Sequence, residues 1–360
     1  MEIGATELIK ELFREDWPKI DRFIASTWGV RHPLRNRELF IWQHSGPTVS
    51  SEAAIATAIV VDQKIVGLRG LQYLSFQVYD ELHRLHSISG CAAPFIHVLE
   101  EHRGLPSLKL YRHNLSRFPI TLFLGANKST SLRLHQASGY QIFGDLPRYG
   151  VKLKSHGVEN RYDALDQKIE PELLGKIWSQ FSSAYRPFAV LRTPDFFRWR
   201  YQDAPFWDYR MLLSKNRGAI AVYRIEPVVF KGNTVGAAFR IIELFHDPEL
   251  CKDAQLREFV GQIMIFARAK GCGYVDHFQT MNVLQTALID SGFLLIQPES
   301  RHFPVLFNPV DYAKPPINYG WKLSTALNEA MADASHSHYI VKSDSDQDRP
   351  TPPNDYFSEQ

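Results

Sequence analysis

Apolar and polar residues alternate in two long stretches of the sequence, and each stretch predicts a set of antiparallel strands. The stretches are AAIATAIVVDQKIVGLRGLQYLSFQV, from residue 53, and GAIAVYRIEPVVFKGNTVGAAFRIIELF, from residue 218. Such alternation is typical of strands because successive side chains point to opposite faces. The polar triplets DQK and KGN interrupt the two patterns and predict hairpin turns.

Helical patterns surround both stretches in the same order. Amphipathic segments precede them at Trp17–Trp28 and Glu172–Tyr185, and others follow at Leu105–Leu115 and Asp253–Lys270. Each half then continues with an apolar strand (ITLFLGAN or GYVDHFQT), a further helix and a last strand. The further helix ends at Gly139 in one half and at Gly292 in the other, where the left-handed conformation of a helix end favours glycine.

Short motifs recur between the two halves in register. Phe40 and Trp42 align with Phe197 and Trp199 at an offset of 157 residues, Arg69 aligns with Arg224 at 155, and Gly139 aligns with Gly292 at 153. Three matches in one order predict two copies of one fold. We therefore predict a mixed α+β (α/β) protein with two tandem domains, residues 1–154 and 155–342, and a polar tail at 343–360. Each domain is expected to be a twisted, mostly antiparallel sheet flanked by helices.

Charge and cysteine usage narrow the class of protein. The chain has 41 basic and 39 acidic residues, a balance that disfavours a protein holding nucleic acid through phosphate contacts. Its three cysteines are scattered, which fits a reducing compartment. The charged N-terminus does not resemble a signal peptide, and no apolar run is long enough to span a bilayer. We predict a cytoplasmic protein without a membrane partner, and the sequence does not predict its oligomeric state.

The segment EHRGLPSLKL (residues 101–110) follows an apolar strand and opens a basic helix. Together with GANKSTSLRLHQASGY (residues 125–140), it resembles the acyl-CoA-binding motifs of GNAT-type acyltransferases, with Arg103, Gly104 and Asn127 at motif positions. The resemblance covers residues 10 to 153. It implies a GNAT-like domain that binds acetyl-CoA or another acyl-CoA through Ile96, Val98, Arg103, Gly104, Leu105, Ser107, Leu108 and Asn127. The second copy opens its helix with DAQLREFVGQIMIFARA and has no phosphate loop.

Acyl transfer to an amine needs a base and, in this family, an acid. The family usually places a tyrosine four residues before the glycine that ends the helix, and this position holds His135. The imidazole is either the acid or a histidine of the helix surface. No carboxylate occupies the usual base position, so His97 and His86 are the candidates. A metal site at His83, His86 and His97 is disfavoured because a firm third ligand is missing.

The acceptor is predicted from the family context and from the tail. Two-domain GNAT proteins of bacterial surface-polysaccharide gene clusters suggest an amino-sugar acceptor of the nucleotide-linked kind. Asp346, Asp348 and Arg349 either fold back to bind this acceptor or belong to a solvated tail. A calcium loop is disfavoured because Arg349 stands where the turn needs glycine. Aromatic residues between Trp199 and Trp207 either stack on a sugar or belong to the core.

Three hypotheses for function follow. The first is an acyl-CoA-dependent N-acyltransferase, most simply an N-acetyltransferase, acting on a small amino sugar. The second is a catalytically degenerate ligand-binding or scaffolding protein, because Pro106, Leu108 and His135 depart from the family pattern. The third, aminoacyl transfer from tRNA, is disfavoured by the near-neutral charge.

Overall fold

A computed structural model gives the structure of the protein and describes residues 8–47, 50–154, 163–297, 302–314, 316–330 and 337–348. The first half contains, in chain order, β1 (Leu8–Leu12), α1 (Trp17–Trp28), α2 (Arg37–Gln43), β2 (Ala56–Val61), β3 (Lys64–Gly70), β4 (Gln72–Tyr79), β5 (Leu85–Ala92), β6 (Ile96–Val98), α3 (Leu105–Leu115), β7 (Ile120–Leu124), α4 (Ser131–Ala137), β8 (Gln141–Asp145) and β9 (Arg148–Lys152).

The second half repeats much of this order. It contains β10 (Leu165–Lys168), α5 (Pro171–Tyr185), β11 (Phe188–Val190), α6 (Pro194–Phe197), β12 (Arg210–Leu213), β13 (Ala219–Phe230), β14 (Asn233–His246), α7 (Asp253–Ala269), β15 (Cys272–Phe278), α8 (Asn282–Asp290), β16 (Leu294–Leu295), β17 (Leu306–Phe307), β18 (Val310–Asp311), β19 (Asn318–Leu323), α9 (Thr325–Ala330) and β20 (His338–Tyr339). A π-helical turn, Arg198–Gln202, continues α6.

Local sequence explains the first elements. Pro18 lies in the first turn of α1, where its missing N–H matters least. Ile20, Phe23 and Ile24 are buried on one face of that helix, at the spacing that an amphipathic helix requires. Asp62 and Gln63 have φ angles of 48° and 64°, and they join β2 to β3 in the predicted tight hairpin.

The described strands form three large sheets and one small hairpin. The sheets have the strand orders β1-β2-β3-β6, β20-β11-β4-β5-β7-β19-β8 and β10-β12-β13-β14-β15-β9-β16, and the hairpin pairs β17 with β18. Most neighbours are antiparallel, but β5 pairs with β7, β14 with β15 and β11 with β20 in parallel. Helices lie beside these sheets, so the predicted mixed α+β class is confirmed.

The two halves exchange their last strands. Strand β9 of the first half lies between β15 and β16 of the second. Reciprocally, β19 of the second half lies between β7 and β8 of the first. The boundary between residues 154 and 155, placed from the sequence repeat, stays a prediction, and each of the two seven-stranded sheets contains strands from both sides of it.

Equivalent residues of the sequence repeat meet at the junction. The indole Nε1–H of Trp42 donates to the carbonyl of Trp199 at 2.8 Å, and that of Trp199 donates back to the carbonyl of Trp42 at 3.3 Å. The two rings lie 5.9 Å apart between centroids. Such reciprocal contacts are typical of an approximate two-fold relation, in which the same surface is used twice. Trp199 is therefore a residue of the buried junction.

Candidate functional site

A cleft opens in the first half where two parallel strands diverge. Gly90–Ala92 of β5 pair with Ile120–Leu122 of β7. Pro94 follows, and since proline has no N–H to donate, a regular ladder cannot continue through it. The chain resumes as β6, which pairs with β3 on the side away from β7. No described strand pairs with the other edge of β6, so β6 and β7 are not joined as neighbours, and we call the space between their ends the cleft.

Two backbone amides of β6 face this cleft. Leu99 donates its N–H to the carbonyl of Val66, and Phe95 accepts from the N–H of Gly70. Because bonded and non-bonded positions alternate in an antiparallel pair, Ile96 and Val98 direct their N–H groups to the opposite edge, towards β7. These are the two backbone positions that the sequence predicts for cofactor binding.

His97 lies between them, and its side chain points to the face of the strand opposite to the side chains of Ile96 and Val98. Its ring contacts Phe23 at 6.1 Å and Trp28 at 5.4 Å between centroids, edge to face. Partial burial, with a smaller effect of Arg103, lowers the pKa of His97 below its usual value. The imidazole is therefore mostly neutral at pH 7 and can accept a proton.

The loop after β6 brings a positive charge and free donors to the start of α3. Arg103 is exposed, and its Nε–H donates to the carbonyl of Val98 at 3.1 Å. Gly104 has a φ of 102°, a conformation that favours glycine. The N–H of Leu108 donates to the carbonyl of Gly104, and Pro106 has no N–H. The amides of Leu105 and Ser107 are therefore the donors left at this helix N-terminus, which attracts anions.

His135 is buried and neutral. It is 5% exposed, stacks on Phe123 with 3.9 Å between centroids, and its Nδ1 is hydrogen-bonded to the hydroxyl of Tyr111. Burial, with a smaller effect of Arg69, lowers the pKa of His135 to about 3. Because the side chain is buried, the helix-surface interpretation is wrong. Because the imidazole is uncharged at pH 7, a role as an imidazolium acid is disfavoured. No sequence pattern indicated its partner Tyr111.

The structure does not bring His86 into the cleft. His86 lies at the start of β5 and forms an ion pair with Asp80, with 3.0 Å between Nε2 and Oδ2. His97 lies on β6, in a different sheet and beyond the opposite end of β5. Among the described residues, no group of three His, Cys, Asp or Glu side chains could hold a metal ion. Asn127 is exposed after β7, and its Oδ1 accepts from Ser129.

The polar tail begins with a buried segment. Asp346 and Asp348 are each 1% exposed, so the solvated-tail interpretation is wrong for these residues. The carboxylate of Asp348 accepts from Tyr209 at 2.8 Å and from Arg224 at 3.1 Å. Asp346 accepts from the side chain of Gln347. Arg349 lies outside the described residues.

The matching cleft of the second half is occupied by the chain itself. Parallel pairing of β14 with β15 ends at Ile241 opposite His277. Beyond that point Val341 forms a bridge with Gln279 on one side. On the other side the hydroxyl of Tyr339 accepts from the N–H of Leu244 and donates to Glu243 at 2.7 Å. Within the described residues, the first half therefore combines such a cleft with a glycine-led helix, and the second half does not.

No helix in the described ranges combines the length and apolar character needed to cross a lipid bilayer.

Comparisons with known proteins identify the fold. No protein-family model and no curated protein sequence matches the chain. Among solved structures, it is similar to a GCN5-related N-acetyltransferase from Anabaena variabilis, with a TM-score of 0.59 and 11% identity over 88% of this chain and 73% of that one. It is also similar to a GCN5-related N-acetyltransferase from Kribbella flavida, with a TM-score of 0.53 and 13% identity over 91% and 73%.

A third similar structure is the N-myristoyltransferase of Saccharomyces cerevisiae, solved with bound myristoyl-CoA and inhibitors. The TM-score is 0.52, and the identity is 10% over 89% of this chain and 81% of that one. At such low identity the likeness concerns the fold alone. The chain has the fold of GCN5-related N-acetyltransferases, as the GNAT-like motifs of the sequence predict.

Proposed function

We propose that the protein is an acyl-CoA-dependent N-acyltransferase, most simply an N-acetyltransferase, whose cofactor lies in the cleft of the first half. The observation that carries the proposal is the direction of two N–H groups, those of Ile96 and Val98, into a cleft that leads to the N-terminus of α3. Donors fixed in this way can polarise a thioester carbonyl and stabilise the oxyanion formed on attack. Arg103 and the amides of Leu105 and Ser107 are suited to the pyrophosphate of CoA.

We assign a proton transfer to one side chain, that of His97. His97, neutral at pH 7 and on the strand that carries the donors, takes a proton from the attacking ammonium group, directly or through a water molecule. The amine then attacks the thioester carbon, the C–S bond breaks with CoA leaving as a thiolate, and the excess proton left on the nitrogen passes to that thiolate or to water. We assign no proton transfer to His135, which is buried and uncharged, or to His86, which lies at the far end of β5.

We propose an amino sugar, nucleotide-linked and used in surface-polysaccharide synthesis, as the acceptor. A cavity of about 430 Å³ in the second half supports a sugar ligand. Its lining combines aromatic side chains with charged groups of both signs, a combination suited to the apolar face and the hydroxyl groups of a sugar: Phe206, Trp207, Tyr223, Asp166, Asp208, Glu226, Arg210, Arg224 and Lys270. Trp207 also packs on Trp42 at 5.6 Å between centroids, which places one wall of this cavity beside the first half.

Acetyl-CoA should bind with a stoichiometry of one per chain in isothermal titration calorimetry. Arg103→Glu should weaken binding roughly 10-fold, because a carboxylate would then face the pyrophosphate. The matched control is Lys176→Glu, the same charge reversal at an exposed position of α5, which should leave the affinity unchanged. An absence of heat with the wild-type protein would contradict the proposal.

His97→Gln should lower the rate of acetyl transfer about 100-fold, because the base is lost while the shape of the side chain is approximately kept. Transfer is measured as free-thiol release from acetyl-CoA with nucleotide-linked amino sugars. For the wild type, kcat/KM should fall with decreasing pH below an apparent pKa under 6.5, as His97 becomes protonated. The variant should lack this acidic limb, and an unchanged profile would exclude His97 as the base.

A catalytically inactive, ligand-binding protein with the same fold is the second candidate. One observation favours it: Pro106 and the internal hydrogen bond of Leu108 leave two amides at the helix N-terminus for a pyrophosphate. Thiol release with any amino sugar, above the rate of the His97→Gln variant, would exclude this candidate.

A further inference from the structure

A second cavity, of about 400 Å³, lies where the exchanged strands meet. Its walls come from the turn between β8 and β9, the end of β15, the segment before β17, the segment before β19 and the C-terminal residues 342–347. The lining is mainly apolar: Leu146, Pro147, Phe278, Leu295, Ile296, Phe303, Val305, Leu306, Pro316 and Ile317. The volume is within the range usual for small-molecule sites.

A single buried amine lines this cavity. Lys342 is 9% exposed, and its Nζ lies 5.2 Å from the centroid of the Phe278 ring. Among the described residues, no carboxylate oxygen lies within 4.0 Å of this Nζ, although buried ion pairs surround it. Burying an ammonium group without a partner is costly, so such a group is an uncommon feature.

The neighbouring charges already neutralise one another. Arg148 pairs with Asp276, Asp276 with Arg240, Arg240 with Glu226, Glu226 with Arg224, and Arg224 with Asp348, at distances of 2.6 to 3.2 Å. We call these six residues the charge ladder. Three cations alternate with three anions along it, so each of its carboxylates is already paired with an arginine, and none of them lies within 4.0 Å of the Nζ of Lys342.

These surroundings lower the pKa of Lys342. Burial, together with Arg240 and Arg224, lowers the pKa of the amine to about 7, and Asp348 and Asp276 only partly oppose the effect. Those residues lie on β13, β14, β15 and the C-terminal segment. The other charged groups that line the same cavity are Arg148, Asp145 and Lys314; the first is paired with Asp276 and the second with Lys128. An anion entering the cavity would supply the missing partner.

We propose that this cavity is a binding site for a small amphipathic carboxylate, whose apolar body packs on Phe278 and Phe303 and whose carboxylate pairs with Lys342. A neutral or cationic ligand would leave the ammonium group of Lys342 without an anionic partner. The site is distinct from the cofactor cleft and does not depend on the acyltransferase assignment. It borders the first half, because the side chain of Gln347, which lines the cavity, also packs against Gly125 at the end of β7.

Titration calorimetry of the full chain with sodium octanoate tests the site. At pH 6.5 octanoate should bind with a stoichiometry of one, and 1-octanol should bind much more weakly because it has no charge. At pH 8.5, where the amine is mostly deprotonated, octanoate should bind roughly 20-fold more weakly. Lys342→Met should lower the affinity at pH 6.5 at least about 10-fold and should remove its dependence on pH.

Lys152→Met provides the matched control, because Lys152 is exposed on β9; it should bind octanoate as the wild type does. Lys342→Arg keeps a cation at the site and should retain binding at pH 8.5. No heat with octanoate at pH 6.5, equal affinities of the wild type and Lys342→Met, or equal binding of 1-octanol would each overturn the proposal.

Discussion

Replacing Asp276 with asparagine is expected to lower the free energy of unfolding by about 3 to 5 kcal/mol at pH 7. The side chain is 1% exposed, and its carboxylate accepts hydrogen bonds from two guanidinium groups, those of Arg148 and Arg240, at 2.6 to 3.1 Å. The amide keeps the volume but removes the charge. Both arginines would then remain buried without the carboxylate that they share, and burying an unpaired charge costs more free energy than burying a paired one.

Urea unfolding followed by tryptophan fluorescence measures this loss. The neighbouring cations hold the pKa of Asp276 at about 2, against 3.8 for an ordinary aspartate. Because the folded-state pKa is depressed, its contribution is complete above pH 3.8 and is lost as the pH falls towards 2. The difference between the wild type and the variant should therefore shrink across that window. Asp163→Asn, which alters an exposed ion pair with Lys215, should leave the unfolding midpoint unchanged; similar midpoints for Asp276→Asn would contradict the charge ladder.

Lys342→Met is expected to stabilise the protein, on the order of 3 kcal/mol at pH 7 and below. The folded-state pKa is about 7 and the ordinary value is 10.5. Between these values the unfolded chain binds more protons than the folded one, so wild-type stability rises with pH across the window. Below pH 7 both states carry the charge, and the cost of burying the ammonium group is complete. Methionine keeps most of the apolar stem and removes that cost.

Urea midpoints at pH 6, 8 and 9.5 test this. The advantage of the variant should be largest at pH 6 and should decline steadily towards pH 10.5. A variant less stable than the wild type at pH 6 would show that the amine has an anionic partner in the folded protein. Lys152→Met supplies the baseline for replacing an exposed lysine.

Local patterns predicted the regular elements well. The predicted helices Trp17–Trp28 and Leu105–Leu115 coincide with α1 and α3, and Asp253–Lys270 exceeds α7 by one residue. These segments combine apolar periodicity with clear end signals, such as Pro18 and Pro106 in first turns. The hairpins predicted at residues 62–64 and 231–233 from the polar triplets DQK and KGN are confirmed. The turn residues Asp62, Gln63, Lys231 and Gly232 have the positive φ angles that tight hairpins require.

Long-range pairing was beyond the sequence patterns. β19 pairs with β7, about 200 residues away, and β9 pairs with β15 across some 125. The alternation of apolar and polar residues in a strand is the same in either sheet, so no local sequence pattern indicates which sheet β9 or β19 joins. The repeat itself was visible because Trp42 and Trp199 have equivalent roles at the junction.

The candidate site was predicted in part. The backbone positions Ile96 and Val98 were predicted from the resemblance to GNAT motifs; the structure turns their amides away from β3, and their role in cofactor binding stays a prediction. The sequence left His135 open as an acid or a helix-surface residue; its burial could not be predicted, because its partners Tyr111 and Phe123 come from α3 and β7 and do not affect the periodicity of α4. It also left Asp346 and Asp348 open as folded back or solvated, and a polar composition could not decide between the two. Arg224, Glu226, Arg240 and Asp276, charged residues inside otherwise apolar strands, were the available signal that carboxylates such as Asp348 must return to them.

The exchange of strands also determines when the protein can fold during synthesis. Until residue 323 has left the ribosome, the slot between β7 and β8 has no strand to fill it, and both of its edges expose unpaired backbone groups. The nascent first half must therefore wait, incomplete, for almost the whole chain. We expect chaperone dependence and a tendency to aggregate when translation stalls, and we expect the two halves to recover a native structure only when they are produced together.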